Sequence, residues 1–205
     1  MKKTILLLAL LTGIVTYSQG LIGAYGGLNV LNLNTNSEYY ELEGPAIGFE
    51  IGGSYKYFIT DNINAMIDFD FYTAKLKFKY NIFDANSFDD LKAGYTQNYS
   101  AFRYAILGNY NFNENFGVVA GPYGETGMSL TGYQPEMGFG LTIGAVANFD
   151  KLSIDLRYTL GLNNVYKKEV NPVDINYLNE NTIDTNISIK HNGFNIRVTY
   201  YIYEF

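Results

Sequence analysis

Hydrophobic and polar residues alternate one by one along much of the chain. In Ala46–Tyr57 the odd positions are mainly Ile, Phe and Tyr, whereas the even positions are Ala, Gly, Glu, Ser and Lys. After the polar break Thr60–Asn62 the alternation resumes as far as Phe71, with Asp68 and Asp70 on the polar face. A two-residue period over such lengths predicts two β-strands joined by a tight turn.

The same pattern predicts strands along the whole chain. They lie near Leu21–Leu33, Pro45–Ile59, Ile63–Tyr80, Tyr99–Phe112, Phe116–Glu125, Met137–Phe149, Leu152–Leu162 and Ile187–Phe205. Tight turns at Thr60–Asn62, Asn113–Asn115 and Asp150–Lys151 alternate with long links at Asn34–Gly44, Asn81–Asn98, Thr126–Glu136 and Asn163–Asn186. Short turns on one rim and long loops on the other predict an all-β fold, an eight-stranded antiparallel up-and-down transmembrane β-barrel.

The two faces of these strands differ in a way that indicates which one meets lipid. The polar face balances acids against bases, as a closed interior requires, because buried charges must be paired. These candidate residues of a structural charge network in the lumen are Glu50, Lys56, Asp68, Asp70, Arg103, Glu125, Asp155, Arg157 and Arg197. The opposite face is rich in Ile, Leu and Phe and would overfill a narrow eight-strand interior. A secreted β-sandwich or ligand barrel that buries this bulky face is the alternative.

Aromatic residues cluster beside the short turns and the C-terminus, as in an interfacial girdle at one membrane surface. They are Tyr55, Tyr57, Phe112, Phe116, Phe149, Tyr201, Tyr203 and Phe205. In the last strand the even positions Ile196–Ile202 are apolar, but Tyr203 and Phe205 are odd. This change of parity predicts either a bulge near the end of the strand or a different register.

The N-terminus has the three parts of a secretory signal. Met1–Lys3 is basic, Thr4–Val15 is apolar but too short to span a bilayer, and Thr16–Ser18 offers small residues for cleavage. We therefore predict a signal peptide at 1–18 and an outer-membrane barrel domain at 19–205. Cleavage removes Lys2 and Lys3 and changes the formal charge from −6 to −8. That acidic balance argues against nucleic acid as a partner.

Several stretches resemble the PorT-like family of Gram-negative outer-membrane proteins, a general group of outer-membrane β-barrel domains. They are Gly23–Asn29, Gly121–Gly124, Gly138–Gly144 and Asp155–Asn164, and they cover parts of four predicted strands. The terminal Tyr203–Phe205 resembles the C-terminal aromatic signal that the barrel-insertion machinery reads. The resemblance implies location in the cell outer membrane, insertion through Phe205, contact with outer-membrane lipid and a possible role in protein secretion.

The expected function is that of a non-enzymatic barrel with a side-chain-filled lumen. It would be structural, adhesive or involved in assembly or secretion with envelope protein partners, and it would need no cofactor. A narrow channel for small solutes is the alternative. A lipid-modifying enzyme, with Ser188 and His191 on its outer surface, is a weaker one, because no acid or oxyanion donor can be placed beside them. The acids Asp84, Asp89 and Asp90 match no calcium loop, so no metal site is predicted.

Overall fold

Antiparallel β-strands build the whole of the computed structural model, which describes residues 20–35, 40–42, 44–83, 90–129, 134–169 and 186–204. The strands are β1 (Gly20–Thr35), β2 (Tyr40–Leu42), β3 (Ala46–Phe58), β4 (Ile63–Phe83), β5 (Asp90–Asn111), β6 (Phe116–Ser129), β7 (Gln134–Pro135), β8 (Met137–Phe149), β9 (Leu152–Glu169) and β10 (Asn186–Glu204). Eight of them close into a barrel in the order β1-β3-β4-β5-β6-β8-β9-β10, and β10 pairs back with β1. The predicted eight-stranded antiparallel barrel is confirmed.

Two further strands are short and do not belong to the eight that form the barrel wall. Strand β2 pairs with β4, and β7 pairs with β9, both on the rim of the long loops. Within the described ranges no helix is long and apolar enough to cross a membrane. The predicted signal peptide, residues 1–18, lies outside the described residues and stays a prediction.

The bulky apolar face points outwards. Ile47, Phe49 and Ile51 on β3 are 66%, 66% and 67% exposed, whereas Glu50 and Lys56 on the same strand are each 4% exposed. The same arrangement runs around the barrel, so the exterior is apolar and the charged residues predicted for the lumen lie in the interior. This is the construction of an outer-membrane barrel, which places the protein in the outer membrane. The β-sandwich alternative is wrong, because the apolar set does not form a buried core.

Side chains in the short turns accept hydrogen bonds from backbone amides. The Ile63 amide donates to Thr60 Oγ1 at 3.0 Å. The Asn115 and Phe116 amides donate to Asn113 Oδ1 at 2.9 and 2.8 Å. Such Asx-type turns explain why polar breaks of only three residues reverse the chain.

Five strands extend by two residues or more beyond their predicted bounds on the long-loop side. Strand β1 runs to Thr35, β4 to Phe83, β6 to Ser129 and β9 to Glu169, and β5 begins at Asp90. All four predicted long links are therefore wrong over part of their length, and those at Asn34–Gly44 and Thr126–Glu136 also contain the short strands β2 and β7. Beyond the lipid layer both faces of a strand meet polar surroundings, so the apolar–polar alternation fades while the backbone pairing continues.

The last strand contains the irregularity that its change of parity indicated. On β1, Ile22 pairs with Tyr203 but the next residue, Gly23, pairs with Tyr201, so Ile202 is the extra residue of a bulge. Tyr201 is only 4% exposed and points into the lumen. Its assignment to the aromatic girdle is therefore wrong.

The other members of the girdle for which the structure describes side chains lie on the outside or at half-exposed positions. Tyr57, Phe112, Phe116 and Phe149 are between 38% and 63% exposed. Tyr55 is half-buried. Phe205 and the side chain of Tyr203 lie outside the described residues.

Candidate functional site

All nine residues assigned to the charge network lie in the lumen, and none is more than 4% exposed. The structure brings seven of them into one connected group, the arginine network. Its members are Glu50, Asp68, Asp70, Arg103, Asp155, Arg157 and Arg197. Glu125 and Lys56 lie apart from it and have different partners.

Arg197, on β10, is the centre of the arginine network. Its Nε lies 2.5 Å from Glu50 Oε1, its Nη1 lies 3.1 Å from Asp68 Oδ2, and its Nη2 lies 3.2 Å from Asp70 Oδ2. These three carboxylates come from β3 and β4, which are not direct neighbours of β10. The guanidinium therefore crosses the lumen and ties one wall of the barrel to another.

The other two arginines extend the network on either side. Arg103 Nη2 lies 2.6 Å from Glu50 Oε2 and 3.0 Å from Asp70 Oδ1. Arg157 Nη1 lies 2.5 Å from Asp68 Oδ2, and its Nη2 lies 2.6 Å from Asp155 Oδ2. The planar guanidinium has five donors in a fixed fork, which is why a single arginine can serve two or three carboxylates.

Small residues make room for this network. The Tyr25 hydroxyl donates to Asp70 Oδ2 at 3.0 Å, and the Arg197 guanidinium carbon lies 4.6 Å from the centre of the Tyr25 ring. A Cβ on Gly52 would come within 2.6 Å of Tyr25 Cζ, and one on Gly144 within 2.8 Å of Arg157 Cγ. Glycine at these positions thus allows ring and guanidinium to fill the narrow lumen.

Lys56 is buried near the short-turn end of the lumen, but it is not part of the arginine network. Its Nζ lies 3.4 Å from Asn148 Oδ1 and about 5.5 Å from the centre of the Tyr201 ring. It forms no ion pair with any residue that the structure describes. The prediction that Lys56 shares a paired network with the arginines is wrong, because the distant end of the strand places it in an amide and aromatic environment.

Glu125 belongs to a second group of buried side chains, the histidine cluster, with His191, Tyr72 and Tyr99. His191 Nδ1 lies 2.8 Å from Glu125 Oε2, and the Tyr72 hydroxyl donates to the same oxygen at 2.5 Å. The hydroxyls of Tyr72 and Tyr99 lie 2.9 Å apart. Because a carboxylate only accepts, the His191 Nδ1–H is the donor to Glu125.

Sequence reasoning placed His191 at the start of the last strand and missed its role. The side chain is fully buried in the lumen at 0% exposure, not on the outer surface. The sequence position of His191 could have indicated its inward orientation, because it shares the odd positions of β10 with Asn195 and Arg197. The side chain of Ser188 lies outside the described residues. The enzyme alternative placed both Ser188 and His191 on the outer surface, and this placement is wrong for His191.

One wall of the lumen is apolar, which the polar interior predicted from sequence did not include. Its residues come from β4, β5, β6 and β8 and form a buried cluster. They are Met66, Ala105, Leu107, Val119, Tyr123 and Val146. Strands β4 and β5 of this wall also carry Asp68, Asp70 and Arg103 of the arginine network, so apolar and charged side chains fill the lumen together.

The arginine network is closed off from solvent. The carboxylates of the arginine network are paired and buried, so no reactive group of that network faces solvent. Among the residues that the structure describes, no group of three or more His, Cys, Asp or Glu side chains is placed to hold a metal ion. Asp84 and Asp89, considered above for a cation, lie outside the described residues.

Comparisons with known proteins find similarity at the level of structure only. No protein-family model and no curated protein sequence matches the chain. Among solved structures, the chain is similar to Ail, the attachment invasion locus protein of Yersinia pestis, with a TM-score of 0.46 and 12% identity over 90% of this chain and 99% of that one.

Two further solved structures are similar over most of their length. Neisserial surface protein A has a TM-score of 0.42 and 12% identity over 88% of this chain and 97% of that one. Outer Membrane Protein W of E. coli has a TM-score of 0.40 and 10% identity over 91% of this chain and 100% of that one. These similarities assign no activity to the chain.

Proposed function

We propose that this protein is a non-enzymatic, PorT-like outer-membrane barrel whose lumen is closed by its own side chains. Its role is to hold the long loops on a rigid wall at the cell surface, where they serve envelope structure, adhesion or the assembly and secretion of envelope partners. The observation that carries the proposal is the guanidinium of Arg197, which spans the lumen to carboxylates on β3 and β4.

A closed lumen follows from the size of the barrel and the contents of its interior. Eight strands leave an interior just wide enough for side chains to fill. In the middle of this one, Arg103, Arg157 and Arg197 are between 2% and 3% exposed. Opening a pore there would require breaking ion pairs whose partners would then remain buried and unpaired.

Conductance of the purified full-length protein in planar lipid bilayers tests the proposal. We expect no steady unitary current from the wild-type barrel. The variant Arg197→Ala removes the central cross-link and should produce current events, whereas Lys151→Ala, in a short turn, should behave as the wild type. Reproducible unitary currents from the wild-type protein would overturn the closed-lumen reading.

A narrow channel for small solutes is the second candidate. What supports it is a set of buried polar atoms without a hydrogen-bond partner among the described residues, on Asn29, Asn64 and Asn109. Buried amides of this kind are commonly satisfied by ordered water, and water bound at these amides would support a hydrated route through the lumen. Under this alternative, Asn64→Leu should abolish the wild-type current that the same bilayer experiment would detect.

The proposal includes two partners, one supported by the apolar exterior and the other by the resemblance of Tyr203–Phe205 to an aromatic insertion signal. Outer-membrane lipid contacts the apolar exterior, and the barrel-insertion machinery reads the terminal Phe205. Deletion of Phe205 should lower the amount of heat-modifiable barrel in outer-membrane fractions, whereas Phe205→Tyr should preserve it. Equal insertion of the deleted form would remove Phe205 as the signal.

A further inference from the structure

Three lysines lie in a row on the outer wall of the barrel, and we call them the outer lysine row. The odd positions of β4 face outwards and are mainly apolar as far as Phe71, but they are lysine at Lys75, Lys77 and Lys79. All three lysines are exposed. Leu76, between the first two lysines, points inwards and is fully buried.

The outer lysine row lies at the level where hydrocarbon gives way to headgroups on the cell-surface side. Strand β4 starts from a short turn and runs towards the long-loop rim, which in outer-membrane barrels is the external one. From Phe71 to Lys75 the strand advances about 13 Å, or about 10 Å in depth at the usual strand tilt. A lysine ammonium on its flexible stem reaches headgroups from such a position.

On the β5 side the neighbours of Lys75 and Lys77 are uncharged, whereas on the other side Lys79 pairs with Glu41 of β2. On β5, Lys75 pairs with Asn98 and Lys77 pairs with Thr96, and both of these residues are exposed on the same outer face. On the other side the pairing of β3 with β4 ends at Ala74 and that of β2 with β4 begins at Phe78, so no strand pairs with Lys75 or Lys77 there. Among the side chains that the structure describes on β4 and β5, no exposed carboxylate lies beside the row.

We propose that Lys75 and Lys77 of the outer lysine row bind the phosphate groups of phosphorylated lipid in the outer leaflet, as carried by the lipid A part of lipopolysaccharide. The lysines supply positive charge in a chain whose formal charge is −6. Ammonium groups bind phosphate as point charges, and the amide of Asn98 and the hydroxyl of Thr96 add hydrogen-bond donors. The apolar residues directly below the row contact the acyl chains of the same lipid.

Protection of an open strand edge is the rival explanation, because lysines at edges prevent strand-to-strand association. The two explanations differ in what neutralising the lysines does. Loss of edge protection increases self-association and leaves lipid binding unchanged. Loss of a phosphate site weakens lipid binding and leaves the oligomeric state unchanged.

The experiment titrates the folded full-length protein in a zwitterionic detergent with diphosphoryl lipid A, with lipid A whose phosphates have been removed, and with inorganic phosphate. Native mass spectrometry counts the bound lipid and reports the oligomeric state. In the variant Lys75→Gln/Lys77→Gln we expect affinity for diphosphoryl lipid A to fall by roughly 25-fold, about fivefold for each charge near the surface. The charge-preserving variant Lys75→Arg/Lys77→Arg should bind as the wild type.

Matched controls separate this site from general electrostatics and from the closed lumen. Lys151→Gln removes the same charge from the opposite rim and should leave binding unchanged, whereas Lys77→Gln alone should weaken it roughly fivefold. Heat-modifiable mobility on gels verifies that each variant is folded. The result does not depend on whether the lumen conducts, so failure of this proposal leaves the closed-lumen proposal standing.

Three outcomes would overturn the proposal. They are equal lipid A affinity in the wild type and the double lysine-to-glutamine variant, equal affinity for lipid A with and without phosphates, and inorganic phosphate bound as tightly as lipid A. A double variant that forms dimers with unchanged lipid affinity gives the first of these results and favours edge protection instead.

Discussion

Positive charge is used in two different ways in the lumen and on the outer wall. All three arginines of the chain lie in the lumen, each paired with two or three carboxylates. The outer lysine row, with the same charge per residue, lies exposed above the lipid-facing surface. The difference matches the chemistry of the two side chains, because guanidinium is weakly hydrated and forks towards several carboxylates, whereas ammonium is a strongly hydrated point charge.

Lys56 sharpens this comparison because it is a lysine in the lumen. It lies outside the arginine network and contacts an amide oxygen and aromatic rings instead of a described carboxylate. Burial alone therefore does not bring a cation into the network. Lys56 lies nearer the short-turn end of the lumen, so its position as well as its side-chain chemistry separates it from the arginine network.

The largest effect is expected at the centre of the arginine network. Arg197→Ala leaves Glu50, Asp68 and Asp70 in the lumen with less compensation. Removing one partner of a buried pair costs about 3–5 kcal/mol, and three affected carboxylates place this variant at the upper end. Urea unfolding of the barrel in lipid vesicles measures the change in the free energy of unfolding. Lys151→Ala is the control and should stay within about 0.5 kcal/mol of the wild type.

A smaller but still large loss in the free energy of unfolding is expected for Arg157→Ala. Arg157 has two carboxylate partners, Asp68 and Asp155. We expect about 3 kcal/mol, since Asp68 keeps its contact with Arg197. Adding Asp155→Asn should restore part of the stability, because it removes the second unpaired charge. A neutral or stabilising Arg157→Ala would contradict the inward orientation of this strand position.

The sequence was sufficient to predict the barrel and the lumenal position of the charged residues, because strict alternation assigns every strand residue to one face. It was not sufficient to predict which acid pairs with which base. Which carboxylate meets Arg157 depends on the tilt and closure of the barrel, because Glu50, Asp68 and Asp70 all lie on the lumenal face. Asp68 is the one within ion-pair distance, together with the neighbouring Asp155.

The histidine cluster was missed for a related reason. His191 lies at a point where the pairing of β10 with β9 shifts in register, so the apolar pattern that marks the strand weakens there. Its partner Glu125 comes from β6, more than sixty residues earlier in the chain. Only the closed barrel brings the two side chains together.

An exchange of the two cations tests the comparison directly. Arg103→Lys keeps the charge but cannot reproduce the contacts of one guanidinium with both Glu50 and Asp70. We expect a loss of about 1.5–3 kcal/mol, the value of a hydrogen bond to a charged group, again by urea unfolding in vesicles. If Lys replaces Arg103 without loss, the distinction between the two side chains does not explain their segregation.

The smallest effect on stability is expected on the outer wall, where it separates binding from folding. Lys75→Arg and Lys77→Gln change an exposed residue whose cross-strand neighbour is uncharged, so each should alter the free energy of unfolding by less than about 0.5 kcal/mol in lipid without phosphate headgroups. In vesicles that contain diphosphoryl lipid A, the wild type should gain stability, because a ligand bound only by the folded state shifts the unfolding equilibrium. Lys77→Gln should lose part of that gain, whereas Lys75→Arg should keep it, and high salt should reduce the difference between them. An equal gain in both variants would mean that the row contributes no phosphate contact, and the outer lysines would then differ from the lumenal arginines only in being solvated.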